Sequence, residues 1–471
     1  MYYSRERVRN ASADFGNLLV IPNLLTDFIN SGTTVETTSG GKEAYCYHGD
    51  LMFSDEDYLC PKCGVKTHIN QTFHVQLKHV PHGGKLSYVM VDKHQFICPR
   101  CGKTLMQRIP FQAEGHRTTE ELKTYAEDLL RHGLTNKEVS WITGLHQATV
   151  KAIDKARLEK LYTVTDDDGS RRLIQPERQA RYLAIDEIKI HDGHKYATHI
   201  IDLETGHILW IQGTKKKQVV YDFIEHVGME WMQGVVAIAC DMNADFEKAF
   251  LEKCPHLQIV FDHFHIVKNF NDKVVSEVRK DEQRRLKEEG QEEAAKDFKK
   301  SRYILMSNRE TLQRRDAEAA AGGLYRKGST LFNTDSVPQK GGREEKYDRL
   351  IAENTLLFTV DLVKDMLDAA YRCTNMDEMR DKVSEIIHIC QETENTHFMW
   401  FGNLLNNHLA GIISHAWLPF SSGTIEGFNR KIGVIRNQAY GFPDDEYFFL
   451  KLMDASRQPY VRNTKSHKVL H

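Results

Sequence analysis

The sequence predicts an α/β protein whose mixed-sheet core carries a large helical insertion and is preceded by a small cysteine-bearing module and an all-α module. Three observations predict it. β-rich apolar runs alternate with helical segments between residues 181 and 262. The strand signal then disappears over 271–415, where charged helical pattern with Ala and Leu dominates. Two matched CxxCG spellings, followed by three helical stretches, stand ahead of the core.

At 471 residues the chain has room for about three domains. A hydrophobic fraction of 41% and a charged fraction of 27% are those of an ordinary globular protein and exclude collagenous, disordered and membrane classes. The net charge of −3 argues against a simple polycation, yet whole-chain charge hides local fields and does not exclude nucleic acid. The N-terminus MYYSRERVRN is polar and lacks an apolar signal core, and no apolar run reaches membrane length, so a cytoplasmic protein is expected. Four of the nine cysteines form two CxxC pairs and the rest scatter singly, which suits metal binding in a reducing compartment.

Residues 1–45 read as a lead segment: one amphipathic candidate, Phe15 to Phe28, then SGTTVETTSGGK, which reads as a linker. Residues 46–116 read as a zinc ribbon. Cys60 and Cys63 lie in CPKCG, Cys98 and Cys101 in CPRCG, and each glycine eases a tight knuckle that aims two thiolates at one ion. Two knuckles complete a tetrahedral site with no open position, so the Zn²⁺ is structural. The competing reading, four buried reduced cysteines, needs the CPxCG spelling to occur twice by accident.

Residues 117–165 read as a helix-turn-helix DNA-binding domain, with helical stretches at Thr119–Arg131, Asn136–Thr143 and Gln147–Lys160. The last two, joined through Gly144-Leu145-His146, have the length and turn glycine of the motif, with Gln147, Thr149 and Lys151 poised toward base edges or phosphates. Alone, the pattern fits a plain three-helix packing unit equally well; the preceding ribbon and the following core favour DNA. TDDDGS at 165–170 reads as a second linker.

The core begins at 176 and its first part runs to 270. Runs at 181–190, 195–204 and 207–214 are three consecutive strands, followed by helix, strand (235–241), helix and strand (258–262), which is the order of an RNase H-like fold. Asp186 ends LAID and Asp241 ends VVAIACD, so each acid sits where a buried strand emerges, a costly position unless hydrogen-bonded or coordinated. In that fold order the first and fourth strands are neighbours, and two adjacent carboxylates call for a hard divalent cation, Mg²⁺ or Mn²⁺. Asp262 ends QIVFD in the same way and competes with Asp241, which is favoured because it ends the first strand after the helix. After the helical insertion (271–415), residues 416–471 supply the last part of the core, in which SSGTIEGFNRKIGVIRN reads as a helix.

DEIKIHDGHKY, IACDMNADFEKAFLEKCPHLQIVFDHFHIVKN and SSGTIEGFNRKIGVIRNQAYGF resemble the insertion-sequence transposases of the ISL-three type, which pair a zinc-binding N-terminus with a DDE catalytic domain. The resemblance implies Asp186 and Asp241 as the first two catalytic acids and Glu426, in TIEGFN, as the third. Asp262 and His265 resemble an Asp-x-x-His element that follows the second acid. Ser422 stands where the family usually has Asn. Asn429, three residues after Glu426 on the same helix face, is expected to support it by a hydrogen bond. Arg430, Lys431 and Arg436 are phosphate-contact candidates, or equally a solvated face.

The implied activity is binding of the terminal inverted repeats of an insertion sequence, then cleavage and strand transfer by two metal ions held about 3.5–4 Å apart. Double-stranded DNA is the expected partner, and synapsis of two ends implies a homo-oligomer. A transposase-derived DNA-binding regulator is disfavoured by the intact acids. Another nuclease of the same fold is disfavoured by the ribbon and helix-turn-helix.

Overall fold

The computed structural model describes residues 25, 27–38, 40–52, 58–191, 195–214, 217–242, 244–261, 263–326, 336–352, 354–418, 423–438 and 443–457. They fall into two compact units, residues 1–174 with 435–471 and residues 175–434.

The first unit opens on a five-stranded sheet. β1 (Phe28–Thr37) pairs antiparallel with β2 (Glu43–Leu51), β2 runs parallel to β4 (Lys85–Ile97), and β3 (His68–His82) and β5 (Thr104–Met106) flank β4 antiparallel. The expected linker at 31–42 is thus mostly strand. Its Thr-Thr-Val-Glu-Thr run is mostly β-branched, and a turn closes at Gly41, whose N–H donates to the Thr38 carbonyl at 2.9 Å. The amphipathic candidate Phe15 to Phe28 lies outside the described residues except at Leu25, Asp27 and Phe28. Tyr47, Leu77, Val89, Val91 and Phe111 fill the core between the sheet and its return loop.

Three helices follow: α1 (Glu120–Arg131), α2 (Asn136–Thr143) and α3 (Gln147–Tyr162). Thr119 caps α1, and Thr135 with Glu138 forms a capping box that starts α2. Gly144 ends α2 at φ 70°, a left-handed position that favours glycine, and any Cβ there would lie 2.7 Å from Leu86 Cδ2 of β4. The helices therefore pack against the ribbon sheet. Lys78 donates to the Gly144 carbonyl and buried His79 bonds the Thr119 hydroxyl at 3.0 Å. The second expected linker is instead the tip of a hairpin, β6 (Thr163–Thr165) and β7 (Arg171–Leu173), because Asp168, Gly169 and Ser170 are turn formers between two pairing strands.

The second unit holds a mixed sheet in the order β10-β9-β8-β11-β12. β8 (Tyr182–His191), β9 (Lys195–Asp202) and β10 (Ile208–Gln212) run antiparallel, while β11 (Ala237–Cys240) and β12 (Gln258–Phe261) are parallel to β8 and to each other. Helices α4 (Gln218–Val227), α5 (Met229–Gln233) and α6 (Ala244–Lys253) make the crossovers. Leu183, Ile185, Ile238, Cys240, Ile259 and Phe261 project to one face and join Phe223 and Phe250 in a single apolar cluster. That cluster continues without a break into the insertion through Phe270, Phe398 and Phe401. α7 (His263–Phe270) follows β12, and the segment expected as an insertion, 271–415, is helical, through α8 (Ser276–Glu288), α9 (Glu292–Lys299), α10 (Arg302–Leu305), α11 (Arg309–Ala320), α12 (Arg343–Ala352), α13 (Thr355–Tyr371), α14 (Met376–Glu392) and α15 (Thr396–Asn407) to α16 (Leu409–Ile413). A short hairpin, β13 (Leu324–Arg326) with β14 (Ser336–Pro338), interrupts it where the sequence is turn-rich. α17 (Gly423–Gln438) and α18 (Asp445–Arg457) close the chain's described part. Among the described residues no helix is long and apolar enough to cross a membrane.

Candidate active site and metal centre

Asp186 lies on β8, the middle strand. β11 pairs with β8 as Ala237 with Tyr182, Ile238 with Leu183 and Ala239 with Ala184. β11 ends at Cys240, so Asp241 follows the strand directly, and the same register continued two residues past its last pair would bring it alongside Asp186, adjacent strand backbones being about 4.8 Å apart. Facing direction follows from alternation. Leu183, Ile185, Ile238 and Cys240 point into the large core, so Asp186 and Asp241 point to the opposite face. On that face Ala237, Val260 and Leu418 form a small apolar patch with Tyr182.

Both oxygens of Asp186 are held. Oδ1 accepts from the backbone N–H of Glu187 at 2.8 Å, and Oδ2 accepts from Nδ2 of Asn429 on α17 at 2.6 Å. Sequence reasoning pairs Asn429 with Glu426, whose side chain lies outside the described residues; among the described residues its partner is Asp186. Across the sheet on β9, His199 is the antiparallel partner of Asp186 and is fully buried. Burial drives its imidazole down to about 4 against the pull of the Asp186 charge, which favours the neutral ring. Burial likewise raises the Cys240 thiol well above its ordinary value, reinforced by Asp241 and Glu247. His199 is the residue that sequence reasoning missed. Its role depends on cross-strand register, which KYATHIID does not announce.

Glu426 belongs to α17, one turn before Asn429; its side chain lies outside the described residues, as does Asp262. His265 is half-buried in the first turn of α7. Arg430 is exposed on α17, while Lys431 and Arg436 are half-buried.

In the first unit the two knuckles meet. Sγ of Cys60 lies 3.6 Å from that of Cys101, and Sγ of Cys63 lies 3.4 Å and 3.7 Å from those of Cys98 and Cys101. All the ligand atoms fall within 4.8 Å of one another. A tetrahedron of thiolates about 2.3 Å from a zinc ion has edges of about 3.8 Å, so the set fits that ion. Gly64 and Gly102 take φ of 64° and 66°, and each closes its knuckle by donating to the carbonyl of the first cysteine at 2.8 and 2.9 Å. Backbone N–H groups, that of Lys62 foremost, hold the Cys60 thiol down to about 6, whereas its hydrogen bond with Cys98 pushes Cys63 up to about 12. Thiols this close share protons that a cation would replace.

On α3, Gln147 is exposed and Thr149 half-buried. Lys151 does not stand free: its Nζ pairs with Asp444 at 2.9 Å and lies over the Tyr447 ring. It belongs to an ionic seam that docks α18 on α3. Asp154, 0% exposed, accepts from Arg157 at 2.9 Å, Tyr447 Oη at 2.7 Å and Lys451 at 2.6 Å. Arg157 also donates to Asp454 at 3.0 Å, and Lys155 reaches Asp444 and Glu446.

Comparison with known proteins bears on the same elements. The family model described as a transposase, of the ISL3 DDE type, matches residues 183–452. The chain is also 27% identical over 398 residues to the transposase for insertion sequence element IS1001 of Bordetella parapertussis, covering 84% of this chain and 88% of that protein.

Proposed function

This chain belongs to the ISL3-type DDE transposases, and from that premise we propose that it binds the terminal inverted repeats of an insertion sequence and cuts and rejoins DNA there on an RNase H-like core. The observation that carries the reading is the parallel register of β8 and β11, Ala237–Ala239 against Tyr182–Ala184; continued two residues past its last pair, that register would bring Asp241 alongside Asp186 on one sheet face. The order β10-β9-β8-β11-β12, three antiparallel strands then two parallel ones, supports the core assignment.

The residues present fit a divalent metal: the carboxylate of Asp186 in the middle of β8, with the amide of Asn429 beside it, and that of Asp241 just past the end of β11 offer hard oxygen ligands. When bound, Mg²⁺ or Mn²⁺ supplies activation of the attacking oxygen and charge stabilisation at the leaving one. Asp186 and Asp241 would hold it from the strands and Glu426 from α17. The Glu187 N–H and Asn429 fix the orientation of the Asp186 carboxylate, each donating to one of its oxygens. His199, buried as the cross-strand partner of Asp186 on β9, stands next to it. Cys60, Cys63, Cys98 and Cys101 would hold a structural Zn²⁺ that fixes the ribbon.

The ribbon and α1 to α3 serve as the end-binding module, with Gln147 and Thr149 facing DNA. Lys151 joins them when phosphate replaces Asp444 as its partner. Arg430, Lys431 and Arg436 are assigned to backbone phosphates, and Asp262 and His265 to support of the site. Two ends must be brought together, so the working form is an oligomer.

The test is cleavage and joining of a duplex bearing the element end. Asp186→Ala, Asp241→Ala and Glu426→Ala each abolish both steps while leaving end binding within about twofold, because they do not contact the repeat. Substantial activity in Asp241→Ala alongside a folded but inactive Asp262→Ala would move the second acid to Asp262. Full activity in Asp186→Ala would overturn the reading.

A further inference from the structure

Resting on that reading, we propose that Asn429 is a two-sided positioning residue of the active site: its Nδ2 holds Asp186 in place while its Oδ1 accepts from a water in the hydration shell of the bound divalent cation. The orientation of the amide is dictated by chemistry. The atom 2.6 Å from Oδ2 of Asp186 must be the donor nitrogen, because an amide oxygen there would face a carboxylate oxygen lone pair to lone pair. Fixing the nitrogen fixes the oxygen. Among the described residues Oδ1 of Asn429 is then buried with no hydrogen-bond partner. A buried amide oxygen left unpaired costs about 1–3 kcal/mol, so its persistence beside an acid pair needs a reason.

A hydrated cation supplies one. Divalent magnesium keeps several waters when protein carboxylates bind it, and those waters are strong donors that need acceptors. Asn429 stands one turn beyond Glu426 on α17, so the single hydrogen bond to Asp186 also sets the rotation of the helix that carries the third acid. Loss of the amide should therefore loosen the metal site at two points without touching the apolar core. The Glu187 N–H does not substitute for it, since that group serves Oδ1 of Asp186 and Asn429 serves Oδ2.

The experiment titrates Mn²⁺ alone into the full-length zinc-loaded protein, followed by electron paramagnetic resonance, and measures end cleavage in parallel. Asn429→Ala and the similarly sized Asn429→Leu are compared with Asp186→Ala, which defines the signal of this site. Titrations are run well below the melting point of every variant, so a lowered midpoint does not confuse the result. Both Asn429 variants are expected to weaken Mn²⁺ binding about 10- to 100-fold, with cleavage partly recovered at raised metal concentration. A purely space-filling role predicts wild-type metal affinity in the leucine variant. If Asp186→Ala removes the signal while both Asn429 variants bind Mn²⁺ within twofold of wild type, the role assigned to Asn429 is wrong and the active site stands. If Asp186→Ala itself binds Mn²⁺ and cleaves normally, the active-site reading and this inference fall together.

Discussion

Asp154→Ala tests whether α18 is truly part of the module that contains the helix-turn-helix. The carboxylate is wholly buried and receives Arg157, Tyr447 and Lys451. Removing one partner of a buried ion pair typically costs about 3–5 kcal/mol, because the surviving charge is stranded. Here the losses are unequal. Arg157 keeps Asp454 at 3.0 Å, Tyr447 keeps Asn136 at 3.2 Å, and the Lys451 side chain, 19% exposed, can turn toward water. The lower end of that range, about 3 kcal/mol, is therefore expected, and for a unit of this size that lowers its melting temperature by on the order of 10 °C. The assay is calorimetry of the full-length protein, combined with a double-mutant cycle pairing Asp154→Ala with Lys451→Ala. A coupling energy above about 0.5 kcal/mol is expected for groups in direct contact. A loss below about 1 kcal/mol with no coupling would refute the docking of α18 on α3.

Other outcomes follow from the same structure. Asp444 is pushed up by burial but held down to about 2 by Lys151, the Tyr447 N–H and Lys155; its contribution is fully present above the unfolded value of about 3.9 and is lost as pH falls toward 2, worth at most about 2.6 kcal/mol. Asp444→Asn should flatten the acid limb of the stability curve, and an unchanged limb would show that the seam does not form. A Cβ at Gly411 on α16 would sit 2.4 Å from Cε2 of fully buried Phe261, so Gly411→Ala should cost about 1–3 kcal/mol by overpacking; a neutral effect in urea unfolding would contradict the close approach of α16 to β12. Elemental analysis should find one zinc per chain, lost in Cys60→Ser, with end binding lost at the same time. A metal-free protein that still binds ends specifically would remove zinc from the ribbon.

How much was legible in the sequence depends on the range of the interaction. Knuckle spelling, strand and helix periods and turn glycines are local, and they placed the four cysteines, the strands of the core, and α1 to α3 to within two residues at each end. Local composition misled where it mimicked a linker. SGTTVETTSGGK is polar, yet its β-branched alternation finds a partner in β2, and TDDDGS is a hairpin tip only because Thr-Val-Thr and Arg-Arg-Leu meet across it. Apolar runs that end in an acid are visible one at a time, but that β8 and β11 lie side by side in parallel is a matter of register between strands about fifty residues apart. The same holds for the hydrogen bond from Asn429 to Asp186, for His199 opposite that acid, and for the pairing of Lys151 with Asp444. By itself the sequence determined which residues can form strands, helices, knuckles and metal ligands, because those choices follow from each residue and its near neighbours. Only the tertiary structure decided which strands lie side by side, which side chain holds Asp186, which lysines are paired and which helix completes the first unit, because burial and Coulomb forces act through space on groups the chain separates.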